Sequence, residues 1–383
     1  MRNINMADPH FTQEDRDWIH KEVDNILDGS LSMGPNVMAF EKEFASRVGV
    51  RHAIAMNSCT AALEASLCAL GVYEREVIVP SETFIATGMA VHLSGGRPVF
   101  AEISATTLCL DLEDVKLKVN SQTAGVILVH MTGLVTPNIL DFRKYCDEKG
   151  LFLIEDAAHA PGACYLNQQA GSIGDVGCFS FYPTKVITSG EGGMLTTNND
   201  KIAAFARSYQ HRGRDMDSSE EIYIIPSRNN RMTEMSALLG RVQLSHLDEF
   251  INRRRQIAKI YIHELSKKSD YSLIVPKDIE NSSFWKFPVL FNSEFDRKNV
   301  EEILQEAGIR VDRAYQPALH LQPVFMNLYR TNKGLLPNTE DILSRHLCLP
   351  CHPRMSDNDV IYVSKILNNA IINININIRG FLK

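Results

Sequence analysis

The stretch SFYPTKVITSGEGG, residues 180–193, places one lysine between a Tyr-Pro-Thr turn and a loop rich in small residues. Lys185 follows Ser180 by five positions, and Ser180 itself ends the apolar, strand-like run CFSF. A solvent-exposed lysine needs no such surroundings. The stretch therefore predicts a lysine with a chemical role, placed just beyond the end of a buried strand.

Short apolar runs alternate with helical stretches on the N-terminal side of this lysine. EVIVP, AGVILVH and LFLIED are strand-like, and ILDFRKYCDEKG is one of the helical stretches between them. Nearly continuous apolar strands spaced by helices are typical of a parallel or mixed sheet that is covered on both faces. Active sites in such α/β sheets gather beyond the carboxyl ends of the strands.

The length of 383 residues predicts two domains, each large enough to bury a core. From Met232 a long helical pattern leads into a second region, where WKFPVLF is strand-like and DRKNVEEILQEAG is helical. We expect an N-terminal helix and a large α/β domain over residues 1–249. A smaller α+β domain is expected over residues 250–383.

The composition is that of a soluble globular protein, with 44% hydrophobic and 22% charged residues. A net charge of −6 argues against nucleic-acid binding, which usually needs clustered Lys and Arg. No apolar run approaches the roughly 18 residues of a membrane span, and the N-terminus lacks the apolar core of a signal peptide. With eight dispersed cysteines, this favours a cytoplasmic protein that binds neither nucleic acid nor membrane.

The segment HLCLPCHP, residues 346–353, contains a Cys-x-x-Cys with a histidine on each side. A structural zinc site usually has a second pair of ligands at a recognisable spacing, and the sequence shows none. The two prolines favour a rigid loop that enters the next helix. We therefore expect no metal site here.

Two other strand ends carry polar residues. Glu155 and Asp156 end the strand LFLIED, and His159 follows three residues after Asp156. The segment Ser58–Thr60 begins a helix, where free backbone N–H groups and the helix dipole favour an anion. Taken singly, each feature is equally well explained by simple capping of a turn or helix.

Familiar lysine motifs do not explain Lys185. In a phosphate-binding P-loop the glycines precede the lysine, whereas here they follow it. A short-chain dehydrogenase has Tyr-x-x-x-Lys on a helix, but Tyr182 lies one residue too close to Lys185 and a proline follows it. The chain also has no Gly-x-Gly-x-x-Gly fingerprint.

Together the three strand ends match the protein side of pyridoxal phosphate catalysis. A helix N-terminus and a serine can hold a phosphate, and a strand-end aspartate can pair with a protonated pyridine nitrogen. A lysine can form a Schiff base, for which it must be partly deprotonated through burial and a neighbouring cation or dipole. Once a substrate amine displaces it, the same lysine can move a proton between carbons.

At this point the sequence resembles the DegT/DnrJ/EryC1/StrS group of sugar aminotransferases over nearly its whole length. The resemblance is carried by NSCTAALEASLCALG, VPSETFIAT, LIEDAAHAPGA, GSIGDVGCFSFYPTKVITSGEGGMLTTNN, NNRMTEMSALLGRVQL, PALHLQPVF and LCLPCHPRMSDNDV. It implies the type I (aspartate aminotransferase-like) fold, with a mixed, mostly parallel seven-stranded sheet flanked by helices and a smaller C-terminal domain. It also implies pyridoxal 5'-phosphate as the cofactor.

The resemblance implies a role for each matching position. Lys185 would form the Schiff base and act as the acid and base, and the other implied cofactor contacts follow. Asp156 would face the pyridine nitrogen, His159 would lie against the ring near its phenolic oxygen, and Phe84 would stack on the ring. The phosphate would be bound by Cys59, Thr60 and Ser180, and by Asn229 of a neighbouring subunit. Arg231 and His320 are tentative substrate contacts, with a core or surface role equally open for each.

The role of Asn229 implies a homodimer with shared active sites, and the sequence leaves larger assemblies of dimers open. Two departures from the family pattern bear on these roles. Cys59 stands where the family commonly has glycine, so the phosphate site must tolerate a side chain. PSRNNRM stands where Gly-Tyr-Asn-Tyr-Arg is usual, so either Asn229 or Asn230 can be the partner-facing residue.

The function implied is amination of a keto-sugar, most simply a nucleotide-linked one, with L-glutamate as the amino donor. The product would be an amino sugar for a surface glycan or a glycosylated natural product. Amination of a cyclitol or of a free keto-acid sugar remains open, as does sugar dehydration, although Lys185 argues against the dehydratases. The presence of Lys185 and Asp156 argues against a non-catalytic binding protein, and the missing glycine fingerprint against a nicotinamide-dependent oxidoreductase.

Overall fold

The structure is a computed structural model that describes residues 3–266 and 269–381. Its helices and strands follow the predicted alternation closely. The strands are β1 His52–Met56, β2 Glu76–Pro80, β3 Arg97–Ala101, β4 Thr123–Val129, β5 Phe152–Asp156, β6 Cys164–Tyr165, β7 Gln168–Gln169, β8 Val176–Ser180, β9 Gly193–Thr197, β10 Tyr271–Leu273, β11 Phe287–Phe291 and β12 His346–Leu349. The α-helices are α1 Gln13–Leu27, α2 Pro35–Val48, α3 Cys59–Ala69, α4 Ile85–Leu93, α5 Leu112–Lys118, α6 Ile139–Lys149, α7 Asp200–Gln210, α8 Glu234–Ser245, α9 Leu247–Leu265, α10 Glu294–Glu306, α11 Pro323–Tyr329, α12 Pro337–Arg345 and α13 Asp357–Phe381.

Seven strands form the main sheet in the order β1-β9-β8-β5-β4-β2-β3. β9 is antiparallel to both of its neighbours, and the other pairs of adjacent strands are parallel. The carboxyl ends of β1, β2, β4, β5 and β8 therefore meet at one edge of the sheet, where β9 begins. This confirms the predicted mixed, mostly parallel seven-stranded sheet.

The main sheet is buried on both faces. Alternate residues of β1 show this, since Ala53 and Ala55 pack into one hydrophobic core while Ile54 and Met56 pack into the other. Because successive side chains of a strand point to opposite faces, a run of apolar residues is the expected sequence of such a strand.

A second, antiparallel sheet has the order β10-β11-β12 and packs with α9, α10 and α13 around a core of its own. The long helical pattern after Met232 is not one helix, because α8 ends at Ser245 and α9 begins at Leu247. α9 packs Phe250 into a core of the main sheet and Tyr261 into the core of the smaller sheet. The boundary between residues 249 and 250 falls within α9 and stays a prediction.

Within the two described ranges, no helix combines the length and the apolar character needed to cross a lipid bilayer.

Glu155 is the last residue but one of β5, and its fully buried carboxylate holds the loop before β8. It accepts hydrogen bonds from the backbone N–H groups of Gly171 (2.8 Å), Ile173 (2.6 Å) and Gly174 (2.6 Å), and it bonds His130 Nε2 at 2.8 Å. Burial disfavours the charged form, but these hydrogen bonds and His130 outweigh it, and the pKa of Glu155 lies below its usual value. The Glu155 carboxylate thus fixes two segments next to Asp156: the loop before β8, and His130, which follows β4.

We expect Glu155→Gln to lower the free energy of unfolding by about 2–4 kcal/mol, because the amide turns an N–H group towards backbone donors. Urea unfolding measures the change, with the exposed Glu148→Gln as a control expected to stay within about 0.5 kcal/mol. Since the folded-state pKa is lowered, this stabilisation is present above the unfolded pKa and lost as the pH falls below it. Equal unfolding midpoints for the two variants would contradict the assignment.

Candidate functional site

A cavity of about 390 Å³ lies beyond the carboxyl ends of the parallel strands. Its size is in the range of small-molecule sites. Seven of the residues predicted from the sequence line it: Cys59, Thr60, Phe84, Asp156, His159, Ser180 and Lys185. The topology thus brings together side chains that are up to 126 positions apart in the chain.

The N-terminus of α3 forms one wall of the cavity. Ser58 caps the helix by accepting a hydrogen bond from the backbone N–H of Ala61 at 3.1 Å, which leaves the first helical N–H groups facing the cavity. A Cβ at Gly193 would lie 2.2 Å from the carbonyl carbon of Ser58 and 2.4 Å from the nitrogen of Cys59. Only a glycine at position 193 therefore lets β9 pass this close to the start of α3. The close approach exists even though position 59 carries a cysteine side chain.

Burial largely determines the electrostatics at Lys185. Desolvation lowers the pKa of the Lys185 amine to about 8, and the nearby Asp156 carboxylate opposes the shift. Trp285 lies beneath the ammonium, with Lys185 Nζ 4.4 Å from the ring centroid. The Trp285 indole N–H donates to the carbonyl of Thr184 at 2.5 Å and so ties the ring to the residue before the lysine. A substantial neutral fraction of Lys185 therefore exists near neutral pH.

Asp156 is held by two hydrogen bonds from outside its own strand. The Thr87 hydroxyl of α4 donates to Oδ2 at 2.9 Å, and the backbone N–H of Ala158 donates to Oδ1 at 3.2 Å. Burial raises the pKa of Asp156, and these two hydrogen bonds and Lys185 oppose the rise. The carboxylate is thus fixed in position at the cavity, and a cationic ligand would complete its environment.

Aromatic rings enclose His159. Its ring stacks on Trp285 with 3.8 Å between centroids and an interplanar angle of 13°, and a 2.8 Å hydrogen bond joins its Nε2 to the Tyr315 hydroxyl. Burial, with Lys185 nearby, lowers the pKa of His159 well below its usual value, so the imidazole is neutral. Phe84 is 54% exposed, and its ring centre lies 5.7 Å from that of Tyr315.

Asn229 and Arg231 do not line this cavity in the single chain. Asn229 is exposed, whereas Asn230 is buried and its backbone N–H donates to the Gln210 carbonyl. Arg231 donates from Nη1 to His211 Nδ1 at 2.8 Å. Of the two asparagines, only Asn229 has a side chain exposed to solvent at this surface.

His320, the other tentative substrate contact, also lies outside the cavity lining. Its ring is fully buried, with Nδ1 bonded to the Ser81 hydroxyl at 2.6 Å and Nε2 bonded to Glu340 Oε1 at 3.0 Å. Both ring nitrogens are thus occupied inside the protein. The structure favours the core role for His320.

Several cavity residues were not identified from the sequence. Trp285, Lys286, Asp312 and Tyr315 belong to the C-terminal third, and the smaller sheet brings them to the cavity. The sequence SSFWKFPVLF indicated only a strand, and no local pattern marks its first residues as cavity-lining. Thr87 could have been identified from the sequence, because it lies in the quoted stretch VPSETFIAT one helical turn after Thr83.

In the part of the chain that the structure describes, no group of three or more His, Cys, Asp or Glu residues is arranged to hold a metal ion. The histidines of HLCLPCHP are buried, and burial lowers the pKa of both His346 and His352 to about 4.

We expect the reactivity of Lys185 in cofactor-free protein to rise with pH through a midpoint near 8 and to level off about one pH unit above it. An amine-reactive reagent with mass spectrometry of the Lys185 peptide measures the labelling rate. Because Asp156 raises the pKa of Lys185, Asp156→Asn should move the midpoint to lower pH. A wild-type rate that keeps rising well above pH 9, or a variant midpoint at higher pH, would contradict this account.

Comparison with known proteins agrees with this geometry. The sequence profile of the DegT/DnrJ/EryC1/StrS aminotransferase family matches residues 13–368. The chain is 32% identical to GDP-perosamine synthase of Vibrio cholerae, covering 96% of this chain and 98% of that protein. It is also 32% identical to dTDP-4-dehydro-2,3,6-trideoxy-D-glucose 4-aminotransferase of Saccharopolyspora spinosa, covering 96% and 97%.

Among solved structures, DesI in the presence of its TDP-sugar product superimposes with a TM-score of 0.87. It is 30% identical and covers 99% of this chain and 96% of its own. A family match over most of the chain, together with the same fold, assigns the protein. The chain belongs to the DegT/DnrJ/EryC1/StrS family of pyridoxal-phosphate-dependent sugar aminotransferases.

Proposed function

We propose that this aminotransferase converts the ketone of a nucleotide-linked keto-sugar to an amine, with L-glutamate as the donor. The observation that carries the proposal is the buried Lys185, which lies near Asp156 in a ligand-sized cavity and whose lowered pKa gives it a larger neutral fraction than an ordinary lysine has. The names of the relatives support the substrate class, since they include enzymes of GDP-linked and dTDP-linked sugars. The product would serve a surface glycan or a glycosylated natural product.

The cavity residues fit pyridoxal phosphate by their chemistry. The N-terminus of α3, with the Thr60 and Ser180 hydroxyls, is suited to a phosphate. Asp156 is a fixed carboxylate for a protonated ring nitrogen, and Phe84 offers an exposed aromatic face. When bound, the cofactor supplies a positively charged pyridine ring that withdraws electrons from the reacting carbon.

Three cavity residues of this chain have separate roles in the proposed reaction. Lys185 would hold the cofactor through its Nζ, and the same amine is placed to accept the proton that leaves the donor carbon and to return one to the product carbon. The negative charge of Asp156 would keep the ring nitrogen protonated. His159, neutral and hydrogen-bonded to the Tyr315 hydroxyl, keeps its position beside the ring without adding charge.

We also propose that the enzyme acts as a homodimer in the cytoplasm, with Asn229 of one subunit reaching the cofactor phosphate of the other. Three observations support this. Asn229 is exposed, the preceding segment leaves the apolar side chains of Met216, Tyr223 and Ile224 exposed, and the eight cysteines are unpaired, as in a reducing compartment.

The wild-type protein with pyridoxal phosphate should show a near-visible absorption band that L-glutamate bleaches. We expect Lys185→Ala to lack this band, because the other cavity lysine, Lys286, is paired with Asp312, while the exposed Lys298→Ala should match the wild type. Absorption spectra before and after L-glutamate measure both effects. A wild type without the band would refute the proposed function, and a band that glutamate leaves unchanged would refute the donor.

Mixing two inactive variants tests the shared site. Asn229→Asp places a negative charge next to the phosphate, so alone it should lose most activity, as should Lys185→Ala. If Asn229 acts on the partner's site, each mixed dimer contains one site with both residues intact, and unfolding and refolding the variants together should restore activity. If Asn229 acts on its own site, each site of the mixed dimer carries one substitution and the mixture should stay inactive. A double variant mixed with wild type is the control.

For that control, Lys185→Ala and Asn229→Asp are placed in one chain and mixed with wild type. Sites shared between subunits predict that the mixed dimer has two damaged sites, whereas unshared sites leave the wild-type site active. Activity of the mixture, measured against the fraction of mixed dimers, distinguishes the two arrangements. A fully active wild-type subunit in the mixed dimer would contradict the role of Asn229.

A further inference from the structure

Lys286 is a second lysine in the cavity to which the proposed chemistry assigns no role. It immediately precedes β11 of the smaller sheet and is only 8% exposed. Its Nζ lies 4.0 Å from the centroid of Trp285, the same ring that lies 4.4 Å from Lys185 Nζ. The two ammonium groups are therefore separated by no more than the sum of these distances.

Asp312 holds Lys286 in place but does not accept from all of the N–H groups of the lysine ammonium. Lys286 Nζ donates to Asp312 Oδ2 at 2.5 Å, and Asp312 is fixed by backbone hydrogen bonds in both directions with Cys348 of β12. An ammonium has three N–H donors, and within the described ranges Asp312 is the one hydrogen-bond acceptor of this ammonium. A mostly buried cation with donors to spare at a cavity wall is suited to bind an anion.

We propose that Lys286 binds a carboxylate of the amino-acid donor and so determines donor specificity; this inference rests on the proposed function. The donor must bring its amine to Lys185, and its α-carboxylate is attached to the carbon that bears that amine. A small amino acid bound at Lys185 would therefore hold its carboxylate near the Trp285 ring, where Lys286 also lies. The phosphates of a nucleotide-sugar are separated from the reacting ketone by the anomeric oxygen and atoms of the sugar ring.

The arrangement of the two sheets supports this assignment. Lys185 follows β8 of the main sheet, whereas Lys286 and Asp312 are attached to the smaller sheet. The phosphate-binding features proposed within one subunit, the start of α3 and Ser180, by contrast lie at the ends of β1 and β8 of the main sheet. A donor held between Lys185 and Lys286 would thus bridge the two sheets, away from the start of α3.

The test compares Lys286→Gln with wild type, because glutamine can still donate an N–H to Asp312 but carries no positive charge. Lys298→Gln is the matched control: Lys298 is also paired with a carboxylate, at 2.7 Å from Glu294, but its side chain is 58% exposed on α10. Lys286→Arg keeps the positive charge. Retention of the near-visible band in each variant shows that the fold and Lys185 are intact.

The first readout is the bleaching of that band by L-glutamate over a range of concentrations. We expect Lys286→Gln to raise the half-saturating concentration by at least about tenfold, with a smaller change in the maximal rate. Lys286→Arg should recover part of the affinity, and Lys298→Gln should match the wild type. An unchanged half-saturating concentration in Lys286→Gln would overturn the inference while leaving the proposed function intact.

The second readout is calorimetric binding of glutarate, a dicarboxylate that has no amine and cannot react. Its dissociation constant should increase in Lys286→Gln in parallel with that for glutamate. The nucleoside diphosphates UDP, GDP and dTDP are the competing probes. If their binding weakens in Lys286→Gln while that of glutarate does not, Lys286 recognises the sugar nucleotide and the inference is wrong.

Discussion

The active site depends on keeping a lysine amine and a carboxylate buried in the same cavity. Water would stabilise both charges, and its removal lowers the pKa of Lys185 to about 8 and raises the pKa of Asp156. Neither group can relax towards solvent, because Asp156 is tied to α4 through Thr87 and Lys185 lies against Trp285. The reactivity of the lysine follows from this burial, which outweighs the opposing effect of the Asp156 carboxylate on the pKa of Lys185.

Two adjacent carboxylates of β5 show how strand geometry separates structure from chemistry. Successive side chains of a strand point to opposite faces, so Glu155 and Asp156 meet different surroundings. Glu155 is saturated by backbone donors and His130, which lower its pKa and fix the neighbouring loop. Asp156 has fewer partners and faces the cavity, where a cationic ring nitrogen would be its natural counterpart.

Residues from the part of the chain that contains the smaller sheet form one wall of the cavity. Trp285, Lys286, Asp312 and Tyr315 come from this part of the chain, and they surround His159 and the amine of Lys185. The main sheet thus supplies the groups suited to the cofactor, and the smaller sheet supplies those suited to a substrate. Such a division lets substrate preference change without disturbing the cofactor residues.

The sequence by itself determined the class of the fold and most of the cavity residues that we propose face the cofactor. Buried parallel strands have a clear local pattern, and the residues at their ends, such as Asp156 and Ser180, are adjacent to that pattern in the chain. The sequence did not show the break between α8 and α9 at His246, because the helical spacing of apolar residues continues across the junction.

Only the tertiary structure decided which distant residues share the cavity. Lys286 is about a hundred positions from Lys185, and Asp312 and Tyr315 are farther still, so no local periodicity links them. The tertiary structure also decided that His320 is a core residue. Its two ring nitrogens are bonded to Ser81 and Glu340, and the sequence does not indicate these distant partners. Local patterns specify strands and helices, whereas the packing of one sheet against another specifies the contacts between them.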